Sequence, residues 1–277
     1  MTDVLTSIDE LCAYPTRTRG LVMTMGALHE GHLSLIDLAR QQVGADGQVL
    51  VSIFVNPLQF GAGEDFSRYP RTWDADLAAC RDRGVDAVFA PAASDILGGD
   101  GDMAVTVDPG PLAALYEGAA RPGHFRGVLT IVLKVLNLIR PQYAVFGEKD
   151  YQQLVLIRRM VRDLDVPVTV VPGPVVREPD GLAMSSRNVY LDGADRSRAL
   201  ALHRGLLAGA ALADQGAPQA AITDAVEREL GDDDIVADYV ALTGPDLELV
   251  PTAGDGRLLV AASVGGVRLL DNCGVRT

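Results

Sequence analysis

Two imidazoles stand three residues apart in Thr24-Met-Gly-Ala-Leu-His-Glu-Gly-His32, a run that reads as the junction of an apolar strand and an amphipathic helix. At a helix N-terminus the first backbone N–H groups and the helix dipole favour an anion. His29 and His32, on one side of the entering helix, could add hydrogen bonds to phosphate oxygens. Their spacing speaks against zinc of the metalloprotease kind, whose histidines are four apart with a glutamate next to the first. A second candidate is Phe146-Gly-Glu-Lys-Asp150, also at a strand end. It offers Lys149, one of only two lysines in the chain, as a flexible point charge for a triphosphate. Met184-Ser-Ser-Arg187 is a third, with two hydroxyls and a guanidinium fork for phosphate oxygens. Taken singly, each has a plain structural reading: incidental histidines in a glycine-rich turn, Asp150 capping a helix beside a solvated lysine, and a serine-rich loop.

Gln59, just after Asn56-Pro57, and Gln153, one turn into the helix after Lys149, are neutral and can both donate and accept. Such groups suit a substrate hydroxyl or carboxylate. The small and turn-forming residues from Gly61 to Pro70 predict a mobile loop able to act as a lid.

Elements able to position these groups can be read from periodicity. Gly20–Met25 and Val49–Val55 are apolar runs of strand length, and Asp86–Ala90 and Tyr143–Phe146 are shorter ones. Helical patterns lie between and after them at Leu33–Val43, Thr72–Gly84, Phe125–Arg140 and Tyr151–Leu164. Alternation of this kind predicts a doubly wound parallel sheet, which binds ligands at the carboxyl ends of its strands. Val171-Pro-Gly-Pro174 reads as a break. After it come a predicted strand at Val175–Glu178, a Pro-Asp-Gly turn, two alanine-rich helices at 193–214 and 217–230, and strand-like runs at 235–242, 257–264 and 267–270. A hairpin is expected around Gly265-Gly266. Lys134, inside an apolar helix, is expected to snorkel.

Composition narrows the partners. The 277 residues are 48% hydrophobic and 22% charged, a globular mixture. A net charge of −13 argues against a general nucleic-acid binder and requires any anion site to concentrate its cations locally. Cys12, Cys80 and Cys273 form no CxxC pair, and the N-terminus lacks a signal-type apolar core. No stretch is apolar enough to span a bilayer. The expectation is a cytoplasmic protein with no membrane or nucleic-acid partner.

Five segments together resemble the pantoate–β-alanine ligase family. They are the 24–32 run, Ile-Phe-Val-Asn-Pro-Leu-Gln-Phe (53–60), Tyr-Pro-Arg-Thr (69–72), Phe-Gly-Glu-Lys-Asp-Tyr-Gln-Gln (146–153) and Gly-Leu-Ala-Met-Ser-Ser-Arg-Asn (181–188). The likeness extends from about residue 20 to Leu-Leu-Asp-Asn (269–272) and reaches the wider HxGH nucleotidylyl transferases. The break at 171–174 divides the chain into an expected Rossmann-like domain over 1–173 and an α+β lid domain over 174–277. The likeness implies a two-step reaction. Pantoate and ATP give a pantoyl adenylate and pyrophosphate; β-alanine then displaces AMP to form pantothenate. By resemblance, ATP contacts fall on Met25, Gly26, Ala27, Leu28, His29, Glu30, Gly31, His32, Gly147, Glu148, Lys149, Asp150, Val176, Met184, Ser185, Ser186 and Arg187. His32 would be the proton donor, with His29 and Lys149 as phosphate partners. Gln59 and Gln153 would bind pantoate, and Gln59 would also approach β-alanine. Met23 replaces the family's usual proline, and Asp74-Ala75-Asp76 breaks an acidic pair, so that only Asp76 carries over as a Mg2+ ligand. A homodimer is implied as well. Rival readings are an HxGH enzyme that transfers a nucleotide to a phosphate-bearing acceptor, and a non-catalytic nucleotide sensor.

Overall fold

The computed structural model describes residues 2–98, 103–248 and 254–277. By its internal contacts the chain divides into two compact units, Met1–Glu148 with Leu156–Pro174 and Lys149–Val155 with Val175–Thr277.

The first unit is built on six parallel strands: β1 (Asp3–Leu5), β2 (Arg19–Thr24), β3 (Gln48–Ile53), β4 (Ala87–Phe89), β5 (Tyr143–Gly147) and β6 (Thr169–Gly173). Their spatial order is β1-β4-β3-β2-β5-β6. Successive strands step outward from β2 in one direction and, from β5, in the other. The order therefore reverses between β2 and β5, which pair directly (Gly20 with Tyr143, Val22 with Val145). Crevices at such reversals are where open α/β sheets bind ligands. The central strands are almost wholly buried, which explains their continuous apolar sequences. The helices are α1 (Ile8–Ala13), α2 (Glu30–Val43), α3 (Trp73–Asp82), α4 (Ala93–Leu97), α5 (Tyr116–Ala120), α6 (His124–Ile139) and α7 (Tyr151–Asp163), the last contributing to both units. Val22, Ile36, Ala39, Val51, Cys80, Val88 and Val145 form one core of α2, α3 and the sheet.

In the second unit, α8 (Gly193–Ala213) and α9 (Gln219–Glu229) pack on an antiparallel sheet, β7 (Ile235–Thr243), β8 (Asp255–Val264) and β9 (Val267–Arg276). The β8–β9 hairpin turns at Gly265 and Gly266, both left-handed (φ +57 and +75), as their sequence predicted.

Three expectations are corrected. Val175–Glu178 is not a strand: prolines on either side leave room for one bridge, between Arg177 and Ala183. Val171-Pro-Gly-Pro174 is not simply a break, because most of it is the end of β6; that strand is at the sheet edge, where Pro172 removes no ladder bond. Lys134 does not snorkel to solvent but donates to the Ile96 carbonyl. Among the described residues no helix is long and apolar enough to cross a membrane.

One close approach holds the short turn that carries Gln59. A Cβ on Gly127 of α6 would lie 2.1 Å from the Leu58 carbonyl oxygen and 2.7 Å from the Gln59 nitrogen. Gly127→Ala gains up to about 1 kcal/mol in helix propensity, but the backbone clash of overpacking costs more, about 2 kcal/mol net. A lower melting temperature than wild type is expected; an equal or higher one would show that α6 does not fix the 57–59 turn.

Candidate active site

The glycine turn after β2 is left-handed at two successive residues, Gly26 (φ +86) and Ala27 (φ +51). Consecutive N–H groups in such a turn converge to form an anion-binding nest. Here the anion belongs to the protein. Asp76 Oδ2 accepts from the Ala27 N–H (2.9 Å) and Oδ1 from the Leu28 N–H (2.8 Å). Thr72 Oγ1 donates to Oδ1 at 3.0 Å, and Asp76 is only 3% exposed. The Gly26 N–H is turned inward, to Thr24 Oγ1 (3.2 Å).

His29 is the N-cap of α2, so the helix begins three residues earlier than its periodicity predicts. The His29 N–H donates to His32 Nδ1 at 3.3 Å, placing His32 where a capping box ordinarily has Glu or Gln. The two rings lie 4.1 Å apart, tilted by 37°. Because Nδ1 is an acceptor, a neutral His32 carries its proton on Nε2. Glu30 and Gly31 are the first two residues of α2, and no intrahelical carbonyl can reach their N–H groups.

Beside this turn, the carboxyl end of β3 leads to Asn56 and a single 3-10 turn, Pro57–Gln59. Asn56 Nδ2 donates to Gln59 Oε1 (3.1 Å), and Gln59 Nε2 donates to Met25 Sδ (3.0 Å). The Gln59 carbonyl is gripped by Arg121 (3.2 Å) and by His124 Nδ1 (2.8 Å). His124, which had no role on sequence grounds, thus fixes the backbone of a candidate substrate residue. Arg121 also holds Glu64 with two nitrogens, at 2.9 and 2.5 Å, pinning the predicted lid loop at that residue. Burial raises the Glu64 pKa, but the Arg121 hydrogen bond and charge outweigh it and leave the carboxyl below its usual range. Gly147 and Glu148 come at the end of β5, the strand beside β2. The first unit therefore gathers Met25–His32, Gln59 and Asp76 into one bonded neighbourhood, with Gly147 at the end of the adjacent strand and Glu148 just after it.

The remaining candidates belong to the second unit. Lys149 lies in the 3-10 turn Glu148–Asp150, its ammonium 3.8 Å from Asp150 Oδ2. Gln153 is half-buried on the first turn of α7. Val176 and Met184 are joined through the Met184 N–H (2.9 Å to the Val176 carbonyl). Ser185 caps the 3-10 turn Ser186–Tyr190 by accepting from the Arg187 N–H at 3.2 Å.

Two chemistries fall away. Burial pushes the Cys80 thiol up to about 12 and that of Cys273 up to about 11, so neither is a thiolate nucleophile near neutral pH. Asp76 does not fit a protein-held Mg2+, because both its oxygens accept from backbone N–H groups. Among the described residues no group of three or more His, Cys, Asp or Glu side chains could hold a metal ion. Sequence reasoning also missed Asn56 and Thr72, which hold Gln59 and Asp76; Asn beside Pro57 was the available signal.

A parallel sheet whose strand order reverses beside an imidazole-capped helix start is the layout of a ligand-binding α/β protein. The match to one family is specific. The model of the pantoate-beta-alanine ligase family covers residues 3–274, and the chain belongs to that family. It is 54% identical to a pantothenate synthetase of Salinispora arenicola, over 100% of this chain and 98% of that protein. A pantothenate synthetase of Nocardia farcinica is 52% identical, over 98% and 84%. The crystal structure of pantothenate synthetase from Thermus thermophilus superposes with a TM-score of 0.93 at 45% identity, covering 98% of this chain and 99% of that one. The pantoate-beta-alanine ligase of Francisella tularensis, complexed with beta-gamma ATP and beta-alanine, gives 0.81 at 32% identity over 99% and 97%.

Asp76→Asn replaces one acceptor oxygen with a donor facing a backbone N–H. It should cost about 2 kcal/mol of stability while leaving any dependence of activity on Mg2+ concentration unchanged. A shifted Mg2+ midpoint at unchanged melting temperature would instead make Asp76 a metal ligand.

Proposed function

We propose that this chain condenses pantoate with β-alanine, driven by ATP, through a pantoyl adenylate. Family membership supports the reaction. The observation carrying it to particular residues is the pair of strand ends at the sheet reversal, β2 with its imidazole-capped turn and β5 running into Gly147-Glu148-Lys149.

In the first step a pantoate carboxylate oxygen bonds to the α-phosphorus of ATP, and the bond to the bridging oxygen breaks as pyrophosphate leaves. Charge accumulates on phosphate oxygens, so positioned donors supply the stabilisation. We assign that work to the Glu30 and Gly31 N–H groups, to His29, to Lys149 and to His32, whose Nε2–H can donate to phosphate while Nδ1 serves the helix. Met25–Leu28, Gly147, Glu148, Asp150, Val176 and Met184–Arg187 complete the proposed ATP contacts. The N–H groups of Ala27 and Leu28, held by Asp76, are not among the phosphate donors. Gln59, oriented by Asn56, and Gln153 bind pantoate; Gln59 also approaches β-alanine. In the second step the neutral amine attacks the acyl carbon, the C–O bond to phosphate breaks, AMP departs and the nitrogen sheds a proton. Positioning and exclusion of water are the main demands there. Mg2+ would arrive on the nucleotide's own phosphates. The domain limits 1–173 and 174–277, a homodimer and a cytosolic location complete the proposal, the dimer by family likeness alone.

His32→Gln preserves an acceptor for the α2 cap, so its melting temperature should stay near wild type while turnover falls at least tenfold, about 1.4 kcal/mol of barrier. Lys149→Ala should lose at least as much. Pyrophosphate should require ATP and pantoate, and AMP should appear only once β-alanine is added. Near-wild-type rates in both variants, or AMP release without β-alanine, would overturn the assignment.

A further inference from the structure

β9 carries an irregularity that its own sheet does not explain. Alternation puts Val267, Leu269, Asp271 and Val275 on one face, and Arg268, Leu270, Asn272, Gly274 and Arg276 on the other. Members of the second face are partly or fully exposed, except Asn272, which is 2% exposed. The cover comes from far away in sequence. Asn272 Nδ2 donates to the backbone carbonyl of Lys149 at 2.8 Å, across 123 residues. Its Oδ1 accepts from Arg257 Nε at 2.7 Å, Arg257 lying on β8 diagonal to it. The Arg257 guanidinium in turn stacks 4.1 Å from the ring centre of Tyr151, whose hydroxyl donates to the Pro245 carbonyl at 2.8 Å.

Below Asn272 the support continues. Its N–H donates to Asp271 Oδ1 (2.7 Å), and Arg177 clamps the Asp271 carboxylate at 2.6 and 2.9 Å while also reaching the Gly181 carbonyl (3.0 Å). A buried amide is costly unless both its halves are bonded. For strand stability alone an apolar side chain would serve at 272. What the amide adds is a fixed orientation, set by Arg257, that points a donor at one carbonyl.

We propose that Asn272 is a positioning residue for Lys149, with Arg257 orienting it, so that the place from which the ammonium reaches a phosphate is set by the last strand of the chain. This rests on the reading of Lys149 as a phosphate partner. The amide holds the lysine backbone and leaves its four side-chain torsions free. Its loss should therefore act on the pyrophosphate-releasing step through Lys149 and not independently of it.

The test is a double-mutant cycle on the full chain, reading pyrophosphate release from ATP and pantoate in a single turnover. Asn272→Ala should slow that step at least tenfold in the presence of Lys149, and by less than twofold in a Lys149→Ala background. The same factor in both backgrounds would make Asn272 merely structural and overturn the proposal. A Lys149→Ala rate close to wild type would overturn the premise instead. Asn272→Leu, which keeps the γ-branched shape and strand pairing but has no donor, serves if the alanine variant fails to fold; a wild-type rate in it would equally overturn the proposal.

Discussion

Two left-handed residues in succession, one of them an alanine, have to be held between β2 and α2, and a buried carboxylate holds them. A non-glycine residue in that conformation costs on the order of 1–3 kcal/mol. Two hydrogen bonds to an ionised carboxylate, each worth about 1.5–3 kcal/mol, offset it. Asp76 in turn needs α3, whose N-cap residue Thr72 supplies a further donor, and α3 needs the core it shares with α2. The start of α2, the placement of His29 and His32 and the contact of Met25 with Gln59 all depend on that turn. Its shape is fixed by hydrogen bonds within the protein, which is what preorganised stabilisation of phosphate charge requires.

An acidic chain that handles a polyanion cannot rely on its average charge. All but two of its 24 basic residues are arginines, and many are engaged in ion pairs: Arg40 with Asp86, Arg83 with Glu30 and Asp37, Arg196 with Glu178 and Asp180, Arg268 with Asp238. Exposed pairs of this kind add little stability, but they leave the arginines partly neutralised. Lysine is used differently. Lys134 ties α6 to a carbonyl of α4, and Lys149 has a loose, 3.8 Å pairing with a half-exposed Asp150. In the proposed site, positive potential is thus supplied locally by helix-terminal N–H groups, imidazoles, one ammonium and Arg187.

The sheet was legible because β2, β3 and β5 are buried on both faces and read as unbroken apolar runs. β1 has three residues and no period to read, and β6 was hidden by a proline that only an edge strand tolerates. The start of α2 was missed because histidine is not a usual cap; the bond from the His29 N–H to His32 Nδ1 is visible only in three dimensions. Asp76 shows the limit of reasoning from residue type. A carboxylate that binds a metal and one that binds backbone N–H groups look alike in sequence, and only the turn it meets tells them apart. Asn272 was out of reach for a different reason, since the group it serves lies 123 residues away.

Histidine at position 32 answers two demands that other side chains meet only separately. Glutamate would cap α2 well and favour the helix dipole, but its charge would repel the phosphates the site has to attract. Glutamine offers an acceptor and a donor and stays neutral, yet its donor rides on a flexible chain. A neutral imidazole accepts from the helix on Nδ1 and presents N–H on Nε2 across a rigid ring, so one uncharged group serves both sides. The helix bond selects the tautomer that the proposed phosphate contact needs. On that proposal, fold stability and catalysis meet in one hydrogen bond, from the backbone of His29 to the ring of His32.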